Sequence, residues 1–326
     1  MIKLAAAFFI SLAVSICTAL LLIPYLKRLK AGQTIREDGP TWHSSKQGTP
    51  MMGGLIFIAG TIIACVFVGF NEITSGELSH IYVLLVGLIY ALIGFLDDYT
   101  KLIKKRNLGL TAIQKLILQI IVAAGFVALM RLTGRMTTEL YIPFFNVTVN
   151  LPEPLYSIFA VFVAVGTVNA VNITDGIDGL VTGVTIPVVI CFTVIAAMWG
   201  STSLSVLSTA LTGALIAFLG FNFHPAKIFM GDTGSLFLGG IVFATAYALN
   251  TPLLLITLGI IYIIETLSDI LQVAYFKLTK GKRIFKMAPF HHHLEMCGWS
   301  EYKLFAVFTA VSTVFAIITY IGVMNR

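Results

Sequence analysis

Charge is what this chain has least of. Only 11% of its 326 residues are Asp, Glu, Lys or Arg, while 58% are hydrophobic, and the mean hydropathy is +0.94. A water-soluble domain carries roughly 25% charge, so the composition excludes an ordinary soluble enzyme and points to an integral membrane protein. Paired cysteines are missing too. Cys17, Cys65, Cys191 and Cys297 show no CxxC spacing and three of them lie in apolar runs, so they read as small hydrophobes rather than zinc ligands or disulfides. No polar domain separates the apolar runs, and neither a low-complexity tract nor an internal repeat is evident. Residues 1–326 are therefore expected to form a single polytopic membrane domain. The P-loop signature GxxxxGK[ST], HExxH and the EF-hand ligand pattern are also absent, which removes their phosphate, zinc and calcium sites.

What the chain does have is apolar length. A spanning helix needs about 20 mostly apolar residues. Ten segments qualify, some with short turns: 4–26, 51–70, 80–96, 111–131, 155–172, 181–199, 204–222, 235–250, 253–276 and 304–324. The expected fold is thus an all-α bundle of ten transmembrane helices. Residues 4–26 are read as the first span, because the run is too long for a signal peptide and no small-residue cleavage site precedes Pro24.

Seventeen of the 21 Lys and Arg fall on one side of this arrangement, in or beside loops 27–50, 97–110, 173–180, 223–234 and 277–303. Positive loops stay inside, so these five loops are expected to be cytoplasmic and both termini outside. The longest outer connection, 132–154, contains YIPFFNVTVNLPEP, whose alternating β-branched residues predict a small extracellular hairpin.

The 15 carboxylates are few enough that their placement matters. Acidic side chains near a bilayer are costly unless they pair, meet water or bind cations. Asp97-Asp98 follows the span ending LIGFL; a solvated helix end balanced by Lys101, Lys104, Lys105 and Arg106 is the plain alternative. Asp175 and Asp178 in NITDGIDG are three apart, sharing a face if helical, and the flanking glycines permit a tight turn and close ligand approach. A capped turn would also explain them. Asp232 sits in MGDTGS, a Gly-rich turn opening a helix, where amides favour anions. With a carboxylate present, that turn suits a Mg²⁺-diphosphate, though Asp232 as a plain cap is the bland reading.

The last basic loop contains PFHHHLE. His291, His292 and His293 cannot all face one metal from a regular helix, so anion binding is favoured over zinc. Lys46, just before GTP, could reach a diphosphate as a point charge. Glu265 and Asp269, with Gln272 beyond them, could line a cavity from the ninth span, but carry no assignment.

Taken together, these blocks resemble the phospho-N-acetylmuramoyl-pentapeptide transferase family of the polyprenyl-phosphate N-acetylhexosamine-1-phosphate transferase superfamily. REDGPTWH with KQGTPMMGG, then FLDDYTK, NITDGIDGL, FMGDTGSLFLGG and APFHHHLE, stand in the family's order from the first loop to the last. The resemblance implies transfer of phospho-MurNAc-pentapeptide from UDP-MurNAc-pentapeptide to undecaprenyl phosphate, giving lipid I and UMP, at the cytoplasmic face of a bacterial plasma membrane. It implies Mg²⁺ as cofactor, held by Asp232 with Asp175 assisting. Asp97 matches the proposed base on the lipid phosphate, with Asp98 beside it. Lys46, Asn172, Asp178, Asn222, Phe229, Gln272 and His291 match positions lining the nucleotide and phosphate pocket, with His292 and His293 adjoining. A homodimer is implied by resemblance alone, and no nucleic-acid partner is expected.

Met51 departs from the Thr usual in this family, which puts one nucleotide contact in doubt. A sister transferase using UDP-GlcNAc is the nearest alternative, disfavoured by the first-loop block and HHHLE. A secondary transporter also fits the hydropathy, but transporters place their sites near the midplane in repeated halves.

Overall fold

The computed structural model describes residues 1–29, 46, 48–104, 109–324 and 326. The REDGPTWH block, Lys30, Lys105 and Arg106 lie outside them. Thirteen helices and two strands follow in order among the described residues: α1 (Ile2–Arg28), α2 (Gly54–Val68), α3 (Phe70–Thr74), α4 (Ser79–Lys104), α5 (Ala112–Leu132), β1 (Glu139–Ile142), β2 (Val147–Asn150), α6 (Glu153–Thr174), α7 (Leu180–Met198), α8 (Thr202–Asn222), α9 (Gly231–Ala248), α10 (Leu254–Leu258), α11 (Ile260–Leu278), α12 (Phe290–Glu295) and α13 (Glu301–Val323).

Every one of the ten apolar segments is helical. Among the described residues, seven helices are long and apolar enough to cross a membrane: α1, α4, α5, α6, α7, α8 and α13. Of the other three segments, 51–70 is interrupted at Gly69 and 253–276 at Gly259, giving the pairs α2–α3 and α10–α11. The third, 235–250, begins earlier than expected, at Gly231. The expected loop 97–110 also differs, because α4 continues through Asp97 and Asp98 to Lys104. Lys101 lies one turn beyond these acids and neutralises them, so the helix has no electrostatic reason to stop.

Between helices in a bilayer, apolar burial gives little drive, and close packing of small residues takes its place. The α4–α9 crossing is built this way. A Cβ on Gly87 would meet Ile241 and one on Gly240 would meet Tyr90, while one on Gly94 would collide with the backbone of Asp232 and Thr233. Helix α9 is buried nearly all round, as a helix apolar on every face should be. It packs chiefly against α4 and α6, with α2 alongside. Helices α7 and α8 are similarly interior, each 72% buried over its apolar window, whereas α1 is 22% buried and presents most of its surface outward.

The hairpin forms as expected. Strands β1 and β2 pair antiparallel from Glu139↔Asn150 to Ile142↔Val147. It docks on the end of α13: Phe144 N–H donates to the Gly322 carbonyl at 3.0 Å, and the Arg326 guanidinium lies 4.5 Å over the Tyr141 ring.

Candidate active site

The close approach at Gly94 fixes the site. One turn further along α4, Asp97 and Asp98 arrive beside the first turn of α9, where Asp232 stands. Each of the three offers a carboxylate oxygen, all within 4.8 Å of one another. Asp98 is fully committed to α9: it accepts from the Asp232 N–H at 3.1 Å, the Thr233 N–H at 2.9 Å and the Thr233 hydroxyl at 2.7 Å. The anion that the Gly-rich turn was expected to bind is thus, here, the protein's own carboxylate. Gly231, at φ +70°, lets the chain pass under it, since a Cβ there would lie 2.5 Å from Asp98 Oδ2.

Three acids this close need compensating charge. Lys101 Nζ lies 2.6 Å from Asp97 Oδ2 and 2.9 Å from Asp232 Oδ2. Lys115, from α5, lies 2.8 Å from the same Asp232 oxygen and 4.0 Å from Asp97. The other Asp232 oxygen accepts from Asn172 Nδ2 at 2.7 Å, and that amide also donates to Ser235 Oγ at 2.7 Å. Asp97 Oδ1 accepts the Leu110 N–H at 2.8 Å. Asn172, at the end of α6, is thus tied to the acids through Asp232.

Asp175 ends α6 and opens the turn to α7. Burial, then the nearby carboxylates of Asp232, Asp98 and Asp178, push its carboxyl up to about 8. Asp178 faces elsewhere, into a second cluster. Its Oδ1 lies 2.8 Å from Lys46 Nζ, and its Oδ2 meets His224 Nδ1 and the Ala226 N–H, each at 2.9 Å. Glu301, the first residue of α13, closes the set: it accepts from Lys46 at 2.7 Å and from the Asp178 N–H at 3.1 Å. Asp175 is not among the residues of that second cluster, and the two acids do not share a helix face because both lie in the turn between the end of α6 at Thr174 and the start of α7 at Leu180.

Two residues of the expected pocket serve as braces. Asn222 accepts from Thr182 Oγ1 at 3.1 Å and donates to the Ile228 carbonyl at 3.0 Å. Phe229 contributes backbone: its N–H donates to Pro50 at 2.9 Å and its carbonyl accepts from Gly53 N–H at 2.8 Å. These bonds lay the GTPMMGG end of the first loop along the MGDTGS turn. Gln272 is likewise engaged, with its oxygen accepting the Ile284 and Phe285 N–H groups and its amide donating to the Phe285 carbonyl, all at 3.0 Å.

The three histidines part company, as the helical spacing required. His291 is fully buried, with Nδ1 2.8 Å from Glu265 Oε2. His292 Nδ1 lies 2.6 Å from Glu295. His293 Nδ1 accepts the Lys286 N–H at 3.1 Å.

Three residues here escaped the sequence reading, Lys115, His224 and Glu301, while Lys101 appeared there only as a balancing charge and Glu265 without an assigned role. Lys101 carried a signal, the i+4 spacing from Asp97. Lys115, a lone cation in an apolar run, carried a weaker one. The other three gain partners only through tertiary contact.

A glycosyl transferase family 4 profile matches residues 80–250. The phospho-N-acetylmuramoyl-pentapeptide-transferase of Clostridium acetobutylicum is 47% identical over 315 residues, covering 97% of both chains. That of Clostridium perfringens strain SM101 is 49% identical over 320 residues, 98% of this chain and 96% of the other. The corresponding protein of Caldanaerobacter subterraneus subsp. tengcongensis is 45% identical over 320 residues, 98% of each.

Proposed function

This chain belongs to glycosyl transferase family 4, among the phospho-N-acetylmuramoyl-pentapeptide transferases, and we propose that the Asp97–Asp98–Asp232 cluster is where its phosphosugar passes to a lipid phosphate. The donor is UDP-MurNAc-pentapeptide, the acceptor undecaprenyl phosphate and the products lipid I and UMP, the first membrane step of peptidoglycan synthesis. The observation that carries this reading is the meeting of three acids and two lysines at the α4–α9 crossing. The transporter alternative falls away with the family.

The donor set fits Mg²⁺. It consists of hard carboxylate oxygens drawn together on two rigid helices, and magnesium is commonly held by one or two carboxylates plus substrate phosphates. Asp232 would hold the ion, with Asp175 assisting. Bound there, it would neutralise charge on the donor diphosphate and favour attack at phosphorus.

The remaining chemistry belongs to the chain's own residues. The obstacle is bringing two anions together. Among the described residues, Lys101 and Lys115 are cations available to phosphate oxygens at the acids, Lys46 extends the positive lining, and His291 adds an imidazole nitrogen. Asp97, oriented by the Leu110 amide, is placed to orient the acceptor phosphate and take a proton from it. That task is light, because a phosphate monoester has a second pKa of about 6. Asp98 holds the first turn of α9 in place. Asp178 and Glu301 keep Lys46 extended toward the DGID turn.

We place this site on the cytoplasmic face, with ten spans and both termini outside, because most Lys and Arg fall in the loops on that side of the chain. A homodimer rests on resemblance alone, and chemical crosslinking in native membranes decides it. The test of function is incubation of the purified protein with undecaprenyl phosphate, Mg²⁺ and either UDP-MurNAc-pentapeptide or UDP-GlcNAc, scoring UMP release. Release with the first donor alone is expected. Release with neither would overturn the reading.

A further inference from the structure

Glu265 drew attention in the sequence as a carboxylate inside an apolar helix without an assigned role. In the structure it is completely buried, and so is His291. Its Oε2 accepts from His291 twice, at 3.3 Å from the backbone N–H and 2.8 Å from ring Nδ1. The first contact satisfies an N–H in the opening turn of α12 that no intrahelical carbonyl can reach. The second settles the ring. A carboxylate can only accept, so Nδ1 carries a hydrogen and Nε2 is the ring nitrogen left for a ligand.

That nitrogen is buried and has no hydrogen-bond partner among the described residues. Buried polar atoms are paired as a rule, and an orphan at a functional site points to a ligand. Its direction is given by Gly176: a Cβ on that residue would collide with His291 Nε2. Gly176 is not at positive φ, so its backbone does not demand glycine. The space for the imidazole does. Nε2 therefore points at the turn between Asp175 and Asp178, the side of the site where the donor diphosphate and nucleotide are proposed to lie.

We propose that Glu265 is the positioning residue for His291, fixing the ring's orientation and tautomer so that Nε2 faces the donor over Gly176. This rests on the reading of His291 as a substrate-facing group. The role requires a hydrogen-bond acceptor at the right distance, not a charge. Gln retains that acceptor, and the His291 backbone N–H keeps the amide oxygen turned toward the ring. Asp keeps the charge but withdraws the carboxylate by one methylene.

The experiment is steady-state UMP release by the full-length purified protein, with both substrates varied and thermal unfolding followed alongside. Glu265→Gln is expected to stay within about threefold of wild-type kcat. Glu265→Asp is expected to lose about tenfold or more, the range for removing the partner that orients a functional histidine, with KM for both substrates little changed. Any other ranking of the two overturns the proposal, and Asp outperforming Gln would show that charge, not orientation, is what matters. Gly176→Ala pushes the ring aside without touching Glu265 and guards against an unfolded Asp variant. It should show the same kcat-selective loss, and a wild-type rate would overturn the proposal. His291→Ala separates the two readings: if it turns over normally, the substrate-facing role of His291 fails, whereas a dead His291→Ala beside a normal Glu265→Asp removes only Glu265.

Discussion

The carboxylate of Asp98, on α4, binds Thr233 of α9 twice, accepting from its backbone N–H at 2.9 Å and its hydroxyl at 2.7 Å. Thr233→Val removes the second bond alone. It is expected to cost about 1 kcal/mol of stability and to lower turnover by loosening the turn that carries Asp232. Asp98→Asn should cost more, since an amide NH₂ would face donors. Thermal unfolding of the two variants checks the order.

Asp232→Asn is expected to abolish Mg²⁺-dependent turnover while the protein remains folded. Retained wild-type rates would sink the metal assignment. Chelation of divalent cations should silence the wild type and be reversed by added Mg²⁺.

Asp97→Asn should cause a severe loss of UMP release that raised pH does not restore, because an amide oxygen is not a base at any accessible pH. A near-normal rate at every pH would remove Asp97 from the chemistry.

Lys115 lies 2.8 Å from Asp232 Oδ2, on the carboxylate proposed to hold Mg²⁺. Lys115→Met therefore removes a competitor and a phosphate ligand together. The concentration of Mg²⁺ giving half-maximal activity should fall while kcat also falls, by about tenfold or more if its charge meets a phosphate in the transition state. A rise in the Mg²⁺ requirement would contradict the competition.

Asp175 gives a pH prediction. Its carboxyl is raised to about 8 in the folded protein, against about 3.9 in an unfolded chain. The folded state then binds the proton more tightly. The stability this contributes is full below about pH 4 and is lost as pH rises toward about 8. In metal-free buffer the unfolding temperature of Asp175→Asn should decline less over that range than the wild type's. Identical slopes would refute it.

Much of this was legible from hydropathy. All ten apolar segments are helices and the hairpin lies where alternation placed it, because both signals are local. Helix ends were less legible. The acids at 97 and 98 looked like a boundary, yet α4 runs on because Lys101 and the start of α9 satisfy them. Asp175 and Asp178 looked like one face of a helix, and both lie in the turn between α6 and α7. Motif order led to the family, but motifs do not state partners. Neither the tie of Glu265 to His291 nor that of Glu301 to Lys46 has any sequence period, since each joins elements brought together only by the fold. Gln272 illustrates the reverse, a residue matched to the substrate pocket whose side chain here holds the 284–285 backbone.

The glycine contact between α4 and α9 leaves no cushion of side chains between the acids and the interior of the bundle. Carboxylates so mounted have little freedom to shift. Innovation in this architecture then falls to segments beside the packed helices, among them residues 48–53, which pair with the turn before α9. The same bundle could then serve different sugars by exchanging its rim, while a substitution at Gly94 would disable it for all of them.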